Sequence, residues 1–547
     1  MHYYITNLLT KNMLPSLTTA LAAWRSTLGN SAVADDAASI ERYARTTQAS
    51  APRPSCILYP KSTEDVQALA RIASEHDIVL YPISCGKNWG YGDACAPTDG
   101  AAIVDLGRMN KILEVHSDLA YCVIEPGVSQ GQLFNHLRDT KSGLWMDATA
   151  AGPDSSLVGN TADRGFGHTR YGDHVLTCCG MEVVLADGRV LHTGFGHFPG
   201  ARAAHCYPYG VGPFMDGLFT QSNYGIITKI GLWLMPEPED FSFFFLQAPN
   251  FEDFPKIIER LRPLRMNGTL NTAIHIGNDF RVLAGSGQYP WELAGGVAPL
   301  PPKVREQLQR LGRVQAWQGS GSLTGTRGHV RAGKRALKKA LRGVAKVGFV
   351  TDRRLAILEG VHRLLSAIGQ RQKLERFLKI LRPNYELLKG VPTREPVMGA
   401  YWRLRKPPEG PGDPLDSGVG LYWVSPVMPM RGEDAMRVLG LARPIFEAHG
   451  FDFVVSMILL TERALVAIMN IAFDKNIPEE CTKASACYDA LVDTLIKAGY
   501  PIYRSGLQGM PKLRAHESVY WDLATDIKRA LDPKDIIARG RYIAPLD

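Results

Sequence analysis

The sequence predicts a protein of mixed helices and strands that is divided into more than one domain. Its 547 residues exceed the roughly 100–200 residues of a typical domain. With 45% hydrophobic and 21% charged residues, its composition is that of a globular protein and not of a disordered chain or a collagen. Helix-like and strand-like patterns alternate with glycine-rich turns over residues 52–237, and the pattern changes near residue 240.

Composition also limits the compartment and the partners. The formal net charge of +8 is a mild bias over this length and does not itself indicate nucleic-acid binding. The nine cysteines include no CxxC pair, which disfavours a disulfide framework or a structural zinc site and favours a reducing compartment. No apolar run reaches the ~18 residues of a spanning helix, and residues 1–7 lack the basic start of a secretory signal. We expect a cytoplasmic protein without a metal, membrane or nucleic-acid partner, and a periplasmic location stays open.

The first elements are predicted from capping and periodicity. Residues 1–50 are predicted to form a helical lead-in. Residues 62–65 (Ser-Thr-Glu-Asp) resemble a capping box, and Val66 begins an i, i+3, i+4, i+7 apolar pattern that is typical of an amphipathic helix. Buried strands are predicted for the apolar runs at 78–83, 102–106 and 122–127.

The second half begins with an aromatic strand at Phe241–Phe245, and long helical stretches follow. Residues 327–351 carry eight Lys or Arg and no acid. This run indicates a solvated helix face or, alternatively, a surface for an anionic partner. It lacks the interleaved aromatic residues that would favour binding of RNA or single-stranded DNA. The Pro/Gly-rich residues 406–412 are predicted to form an exposed loop.

Three glycine-rich stretches carry the functional signal, since GxGxxG, Walker A, HExxH and GxSxG motifs are absent. The first, residues 84–92, follows a strand, and its consecutive backbone N–H groups could bind phosphate oxygens. The second, residues 158–174, combines glycines with Asn160, Arg164 and histidines and would let the backbone approach a flat ligand. The third, residues 219–230, is a glycine turn that leads into a strand. Each stretch alone is equally well explained as a structural turn or an exposed loop.

In this order and spacing, the three stretches resemble the flavin-binding domain of the vanillyl-alcohol oxidase / p-cresol methylhydroxylase family. The resemblance resumes at residues 420–426 and 450–453, and it ends with Tyr503-Arg504 and residues 531–541. It implies an α+β fold with a two-part FAD-binding domain of the p-cresol methylhydroxylase type and an α+β cap domain over the substrate. The implied domains are the lead-in at 1–50, the FAD-binding domain at 51–237, the cap at 238–495 and a C-terminal segment at 496–547 that completes the FAD domain and the active site.

The resemblance implies FAD as the cofactor, with its pyrophosphate held by the strand and the first glycine loop. The residues carried over as FAD-binding are Pro82, Ser84, Cys85, Gly86, Lys87, Asn88, Gly90, Tyr91, Gly159, Asn160, Arg164, Gly165, Gly225, Ile227, Tyr422, Arg504 and Arg541.

The branch that oxidises para-substituted phenols implies a specific chemistry. A hydride leaves the benzylic carbon for flavin N5, and the quinone methide left behind forms easily only if the phenol is ionised. Preorganised donors must therefore stabilise a phenolate. The family uses two tyrosines and an arginine, which correspond here to Tyr91, Tyr503 and Arg504. Arginine keeps its charge at neutral pH.

Two positions depart from that branch. The aspartate near flavin N5 corresponds to Ala150 or Ala151, depending on the alignment. Neither Asp147 nor Asp154 is in register, and Asp154 is better explained as a turn residue. The family tyrosine in the Gly-x-Gly-Tyr-Thr context is His168, which could act as a hydrogen-bond donor or as a catalytic base.

The flavin linkage also departs from the oxidase branch. The position of the histidine that bonds to the flavin falls on Leu421, and Tyr422 follows it. A histidyl linkage is therefore disfavoured. The open alternatives are non-covalent FAD, which we favour slightly, and an aryl ether through Tyr422.

The sequence therefore predicts an FAD-dependent oxidoreductase that acts on a 4-alkylphenol, a phenylpropanoid or a lignan and then hydroxylates it or oxidises it further. The alternatives are a flavin alcohol oxidase or dehydrogenase with a non-phenolic substrate, and a basic interaction protein on a retained flavin scaffold. The expected partners are a small aromatic substrate, oxygen, a c-type cytochrome or another electron acceptor, and a second copy of the chain in a homodimer by analogy with relatives.

Overall fold

The computed structural model of the chain describes residues 16–367, 372–410, 412–515 and 518–546. Residues 1–15 of the predicted lead-in and Pro411 of the predicted loop lie outside these ranges. The fold is α+β. The helices are α1 (16–28), α2 (Ala37–Ala44), α3 (Thr63–His76), α4 (Gln130–Asp139), α5 (Leu157–Ala162), α6 (Phe254–Met266), α7 (Asp279–Ser286), α8 (Pro302–Gly312), α9 (Arg327–Ala340), α10 (Asp352–Ala367), α11 (Gln372–Leu387), α12 (Gly432–Ala448), α13 (Pro478–Lys497), α14 (Met510–Leu513) and α15 (Val519–Leu531).

The strands fall into three larger sheets and one short pair. They are β1 (Val33–Ala34), β2 (Cys56–Leu58), β3 (Leu80–Ile83), β4 (Ala102–Asp105), β5 (Ile112–His116), β6 (Tyr121–Ile124), β7 (Leu144–Trp145), β8 (Cys178–Val184), β9 (Val190–His192), β10 (Ile226–Trp233), β11 (Met235–Pro236), β12 (Asp240–Ala248), β13 (Ile274–Asn278), β14 (Trp317–Gly325), β15 (Lys346–Val350), β16 (Val419–Val424), β17 (Val427–Pro429), β18 (Val455–Leu459) and β19 (Ala464–Asp474).

The first sheet has the strand order β1-β2-β4-β3, and β4 pairs in parallel with both β2 and β3. Helix α3 begins where the capping box predicts it, because the Ser62 side chain accepts a hydrogen bond from the Asp65 backbone N–H at 3.2 Å. The C-terminal tail extends this sheet beyond β3. Leu80 N–H donates to Ile536 O, and Ala538 N–H donates to Leu80 O, both at 2.7 Å. The two ends of the chain thus meet in one sheet.

The second sheet is antiparallel, with the order β5-β6-β10-β8-β9. Its central strand β10 is largely buried because it pairs with β6 on one side and with β8 on the other. The third glycine-rich stretch ends in this strand, so Gly225 lies where the chain enters the sheet. The pair β11-β7 links residues 235–236 to residues 144–145.

The third sheet has eight strands, in the order β15-β12-β14-β13-β18-β19-β16, with β17 also pairing with β19. Its pairings are antiparallel. The predicted aromatic strand at Phe241–Phe245 is confirmed as part of β12. Helices α6, α12 and α13 contribute buried side chains such as Phe254, Phe446 and Leu491 to the core of this sheet.

The basic run of residues 327–351 forms α9 and β15. Val330 and Leu337 of α9 are buried, whereas most of its charged side chains lie on the outer face. Lys338 Nζ lies 5.6 Å from the centre of the Phe349 ring. Within the described ranges, no helix is both long enough and apolar enough to cross a bilayer.

Candidate active site

A cavity lies where the loop after β3, helix α5 and the start of β10 meet the C-terminal part of the chain. Most of the residues predicted to bind FAD line this cavity. They are Pro82, Ser84, Cys85, Gly86, Lys87, Asn88, Gly159, Asn160, Gly225, Ile227, Arg504 and Arg541. The three glycine-rich stretches are thus brought together with two arginines from the end of the chain.

Close approaches of the backbone shape the cavity wall. A Cβ at Gly159 would lie 2.2 Å from Ser84 Oγ, and a Cβ at Gly225 would lie 2.5 Å from Val183 Cγ1. Gly86 has a φ of 64°, a left-handed conformation that glycine adopts without strain. Within the described chain, the backbone N–H groups of residues 85–88 donate no hydrogen bond. These free donors fit the pyrophosphate of FAD.

Asp163, at the end of α5, is a buried carboxylate between two arginines. Its Oδ2 lies 2.6 Å from Arg504 Nε, and its Oδ1 lies 2.6 Å from Arg541 Nη2. Arg504 also donates to Asn88 Oδ1 at 2.5 Å, and Arg541 donates to the Tyr81 hydroxyl at 3.1 Å. Burial lowers the pKa of Arg504, but the charge of Asp163 and the nearby Tyr503, Tyr91 and Tyr542 together raise it overall. With two guanidinium groups and one carboxylate, the cluster keeps a positive charge at the cavity wall.

The two predicted active-site tyrosines meet at Arg504. The guanidinium carbon of Arg504 lies 4.2 Å from the centre of the Tyr91 ring. The Tyr91 hydroxyl forms a hydrogen bond with Ser425 Oγ at 3.1 Å, and Tyr503 lies close enough to influence the pKa of Tyr91. Burial raises the pKa of Tyr91 and of Tyr503, so both hydroxyls are protonated donors at neutral pH. The Tyr503 ring packs against Phe166, with 5.6 Å between ring centres.

A chain of hydrogen bonds anchors the second glycine-rich stretch. His174 Nε2 lies 2.7 Å from Asp147 Oδ2, and His174 Nδ1 lies 2.6 Å from Asn160 Oδ1. Asp147 also accepts from the backbone N–H groups of His168 at 3.1 Å and of Thr169 at 2.6 Å. Burial raises the pKa of Asp147, but the hydrogen bond and charge of His174, together with the hydrogen bonds from Thr169, lower it overall. Asp147 therefore holds this loop and is not a free base.

His168 lies on that loop with one ring nitrogen occupied. Its Nδ1 is 3.0 Å from the carbonyl oxygen of Ala148. Because a carbonyl only accepts, Nδ1 carries the hydrogen, and Nε2 keeps its lone pair when the ring is neutral. The ring stacks on His275 of β13 at a centre-to-centre distance of 4.3 Å and an angle of 11°. Burial lowers the pKa of both histidines, which are neutral at pH 7.

A third cation, Arg281, lies near this histidine pair in the first turn of α7. Its charge contributes to the lowered pKa of His168 and of His275. Burial lowers the pKa of Arg281 itself. Within the described residues no carboxylate pairs with Arg281. Asp279, the acid on the same helix, is held instead by Arg305 through contacts of 2.6 and 2.8 Å.

Some predicted residues do not line the cavity. Tyr422 lies in the core of the third sheet, where its hydroxyl accepts from the Ala49 backbone N–H at 3.1 Å and contacts Ser485 Oγ at 3.1 Å. This placement gives no support to Tyr422 as a flavin ligand. Arg164 is exposed and donates to Thr220 Oγ1 at 3.1 Å.

Gly90 and Gly165, which were also predicted to bind FAD, do not line the cavity but pack closely against neighbouring residues. Gly90 N–H donates to Thr47 Oγ1 at 2.8 Å, and a Cβ at Gly90 would collide with Trp423. A Cβ at Gly165 would lie 2.4 Å from the Asn160 side-chain amide. Asp154, which the sequence places in a turn, forms an exposed ion pair with Arg394.

Sequence reasoning missed three residues of this region, namely Asp163, His275 and Arg281. Asp163 follows Asn160 by three residues inside a stretch that the sequence had already singled out, and that proximity was the available signal. His275 and Arg281 had no local signal, because β13 and α7 come beside the second glycine-rich stretch only through the fold.

Comparisons with known proteins identify the family. Residues 54–194 match the model of an FAD binding domain. The chain is 38% identical to 1'-carboxy-chondrochloren decarboxylase from Chondromyces crocatus, over 96% of both proteins. It is 31% identical to the flavoprotein subunit of 4-cresol dehydrogenase [hydroxylating] from Pseudomonas putida, over 89% of this chain and 87% of that protein. The structure of 4-ethylphenol oxidase from Gulosibacter chungangensis in complex with isoeugenol superposes with a TM-score of 0.88 and 29% identity, over 97% of this chain and 98% of that one.

The chain therefore belongs to the p-cresol methylhydroxylase family of FAD-linked oxidoreductases. The predicted resemblance, the fold class and the assignment as an enzyme are confirmed. FAD is the cofactor of the matched domain.

Proposed function

We propose that the protein oxidises a para-substituted phenol at its benzylic carbon. The observation that carries this proposal is the meeting of Arg504, which lines the cavity, with Tyr91 and Tyr503. Two protonated hydroxyls and one permanent cation form a site for an aromatic oxyanion. The relatives named for 4-cresol and for 4-ethylphenol oxidation support the same substrate class.

The residues have separate tasks in this reaction. FAD, when bound, accepts a hydride from the benzylic carbon. Loss of that hydride is favourable only if the phenol oxygen supplies electrons to the ring, so Arg504 stabilises the phenolate and the two tyrosines orient it by donating hydrogen bonds. The product of this step is a quinone methide. We assign His168 the role of base for water that adds to it, since its Nε2 lone pair is free in the described chain and its pKa is lowered.

A second candidate reaction is oxidative decarboxylation, and the 38% identical relative named as a decarboxylase favours it. A carboxylate on the carbon next to the benzylic carbon can leave a quinone methide as CO2. The electrons of the broken C–C bond form a C=C bond and return the ring to a phenolate, which then takes up a proton. Starting from a 3-(4-hydroxyphenyl)propanoate, the products are 4-vinylphenol, CO2 and reduced flavin.

Anaerobic titration tests the shared phenolate step. The purified protein should show flavin absorption bands, and 4-ethylphenol should bleach them. 1-Ethyl-4-methoxybenzene, which cannot form a phenolate, should leave them unchanged. Equal bleaching by both compounds would favour a non-phenolic alcohol oxidase. A colourless protein would favour the interaction protein on a flavin scaffold.

Product analysis separates the two candidate reactions. Benzylic oxidation of 3-(4-hydroxyphenyl)propanoate would give a product that keeps the carboxylate, whereas oxidative decarboxylation would release one CO2 per flavin reduced.

We propose that the electron acceptor is either oxygen or a protein such as a c-type cytochrome. Measuring oxygen consumption and cytochrome reduction with the same substrate distinguishes these two acceptors. A homodimer is proposed by analogy, and the mass measured by light scattering tests it.

A further inference from the structure

Arg281 is a cation that the phenolate site does not use. It lies on α7, with its side chain beside Gly277 of β13, two residues along that strand from His275. Its side chain is half-buried, and it has no carboxylate partner among the described residues. A half-buried guanidinium group with no internal carboxylate is available to pair with an external anion.

We propose that Arg281 binds a carboxylate of the substrate and that the substrates are 4-hydroxyphenyl-substituted carboxylic acids. This inference rests on the proposed oxidation of a phenol. It adds the second charged group of the substrate and the residue that recognises it. A guanidinium group binds a carboxylate through two parallel hydrogen bonds, which gives both affinity and orientation.

The loop from Phe166 to His168 connects the two ends of such a substrate. Phe166 packs on Tyr503 at the phenolate end, and two residues later His168 stacks on His275 beside Arg281. Two residues of extended chain span at most about 7 Å. The phenolate end and the histidine pair beside Arg281 are therefore held by neighbouring residues of one loop, which suits an acid carried on a short alkyl chain at the para position.

The charge of this region also favours an anion. Both histidines are neutral because burial lowers their pKa, and the nearby Asp147 carboxylate is already paired with His174, which leaves the charge of Arg281 without a partner. The one acid on the same helix turn, Asp279, is already bound by Arg305 and by Gln309 Nε2 at 2.7 Å. A substrate carboxylate would neutralise the remaining charge without competing with an internal partner.

Gly277 and Gly399 lie so close to the Arg281 side chain that a larger residue at either position would clash with it. A Cβ at Gly277 would lie 2.9 Å from Arg281 Cγ, and a Cβ at Gly399 would lie 2.9 Å from Arg281 Nη1. Gly399→Ala should therefore move the guanidinium group while keeping its charge. This substitution perturbs the site without removing the arginine.

Binding of 3-phenylpropanoate to the FAD-loaded protein tests the inference. This acid lacks the phenol, so it does not react in the proposed chemistry, and 3-phenylpropanamide is its neutral counterpart. Titration calorimetry should show that the wild type binds the acid at least about tenfold more tightly than the amide, the usual scale of a charge-assisted hydrogen bond. Arg281→Met should abolish the preference, and Gly399→Ala should reduce it. Arg331→Met, on the exposed face of α9, should keep it.

The outcomes separate this inference from the proposed function. Equal binding of acid and amide by the wild type, or a preference that survives in Arg281→Met, would overturn it even if 4-propylphenol bleaches the flavin. A preserved acid preference in a protein that no phenol bleaches would instead reject the proposed oxidation. If Arg281→Met does not fold, Arg281→Lys serves in its place, and it should keep part of the preference because it keeps the charge. A Gly399→Ala protein with the full wild-type preference would also count against the site.

Discussion

Arg504 lies over the ring of Tyr91, with 4.2 Å from its guanidinium carbon to the ring centre, while its Nε pairs with Asp163 at 2.6 Å. The arginine is thus fixed from two sides before any ligand binds. A cation that is already positioned needs no reorganisation when negative charge develops on a phenol oxygen. This preorganisation is the physical basis of the proposed chemistry.

Replacing Arg504 with alanine should slow anaerobic reduction by 4-ethylphenol by roughly 10²–10³-fold, the effect typical of one lost electrostatic donor. The rate is measured by stopped-flow absorbance of the flavin. Arg331→Ala, on the exposed face of α9, is the matched control and should reduce at the wild-type rate. A reduction rate in Arg504→Ala equal to that of the control would exclude the assigned role.

Asp163 should be needed for stability as well as for the site. Asp163→Asn leaves the buried Arg504 and Arg541 without their shared anion, which should lower the free energy of unfolding by about 3–5 kcal/mol. Asp154→Asn breaks an exposed ion pair with Arg394 and should cost less than about 1 kcal/mol. Denaturant unfolding of both variants measures the difference, and equal losses would contradict the prediction.

The contact between Gly159 and Ser84 gives a testable steric prediction. In Gly159→Ala, the new Cβ would lie 2.2 Å from Ser84 Oγ and would push that hydroxyl into the cavity. We expect FAD affinity to fall at least about tenfold, since overpacking typically costs 1–3 kcal/mol. The Ser84→Ala/Gly159→Ala double variant should recover most of the affinity, because the clashing atom is gone.

A second glycine supplies the control for this experiment. A Cβ at Gly440 in α12 would meet no atom within 4 Å, so Gly440→Ala should leave FAD affinity unchanged. FAD affinity is measured by fluorescence titration of the apoprotein. A Gly159→Ala affinity equal to that of Gly440→Ala would show that the close approach has no role in binding.

The elements that could be predicted from the sequence are those with a recognisable motif within their own residues. The capping box before Val66 marks the start of α3, and the glycine-rich stretches mark much of the cavity wall. Such signals depend on neighbouring residues, so a single sequence contains them. The family motif also identified Arg504, although no local pattern indicates that it pairs with Asp163.

Contacts between segments that are far apart in the sequence could not be predicted from local sequence patterns. The third sheet extends far past the predicted aromatic strand. Its strand β14 is rich in glycine and serine, and β19 is a long apolar run that could equally be a buried helix, so neither has a clear strand signal in the sequence. The stacking of His168 on His275 joins the second glycine-rich stretch to β13, and no periodicity predicts it. The placement of Tyr422 in the core depends on Ala49, which is distant in sequence.

Tyr422→Phe should affect packing more than it affects the flavin. Loss of the hydroxyl removes the acceptor for the Ala49 N–H and should lower the free energy of unfolding by about 1 kcal/mol. The colour of the acid-precipitated pellet should be the same in wild type and variant. A yellow wild-type pellet together with a bleached variant pellet would instead identify Tyr422 as the covalent link.

Asp93 should make stability depend on pH in the acid range. Its carboxylate is buried and accepts from the Thr47 backbone N–H at 2.7 Å and from Thr46 Oγ1 at 2.8 Å. Burial raises its pKa from 3.8 to about 6, more than these hydrogen bonds lower it. Between pH 3.8 and about 6 the folded protein therefore binds more protons at this site than the unfolded chain does.

The sign of the effect follows from this proton difference. The free energy of unfolding should fall as the pH rises through this window, by about 3 kcal/mol in total, because each pKa unit corresponds to about 1.4 kcal/mol. Asp93→Asn cannot titrate and should lack this fall. Unfolding by urea at pH 4, 5, 6 and 7 gives the stability of both proteins. Parallel pH profiles would show that the carboxyl group titrates alike in the folded and unfolded states.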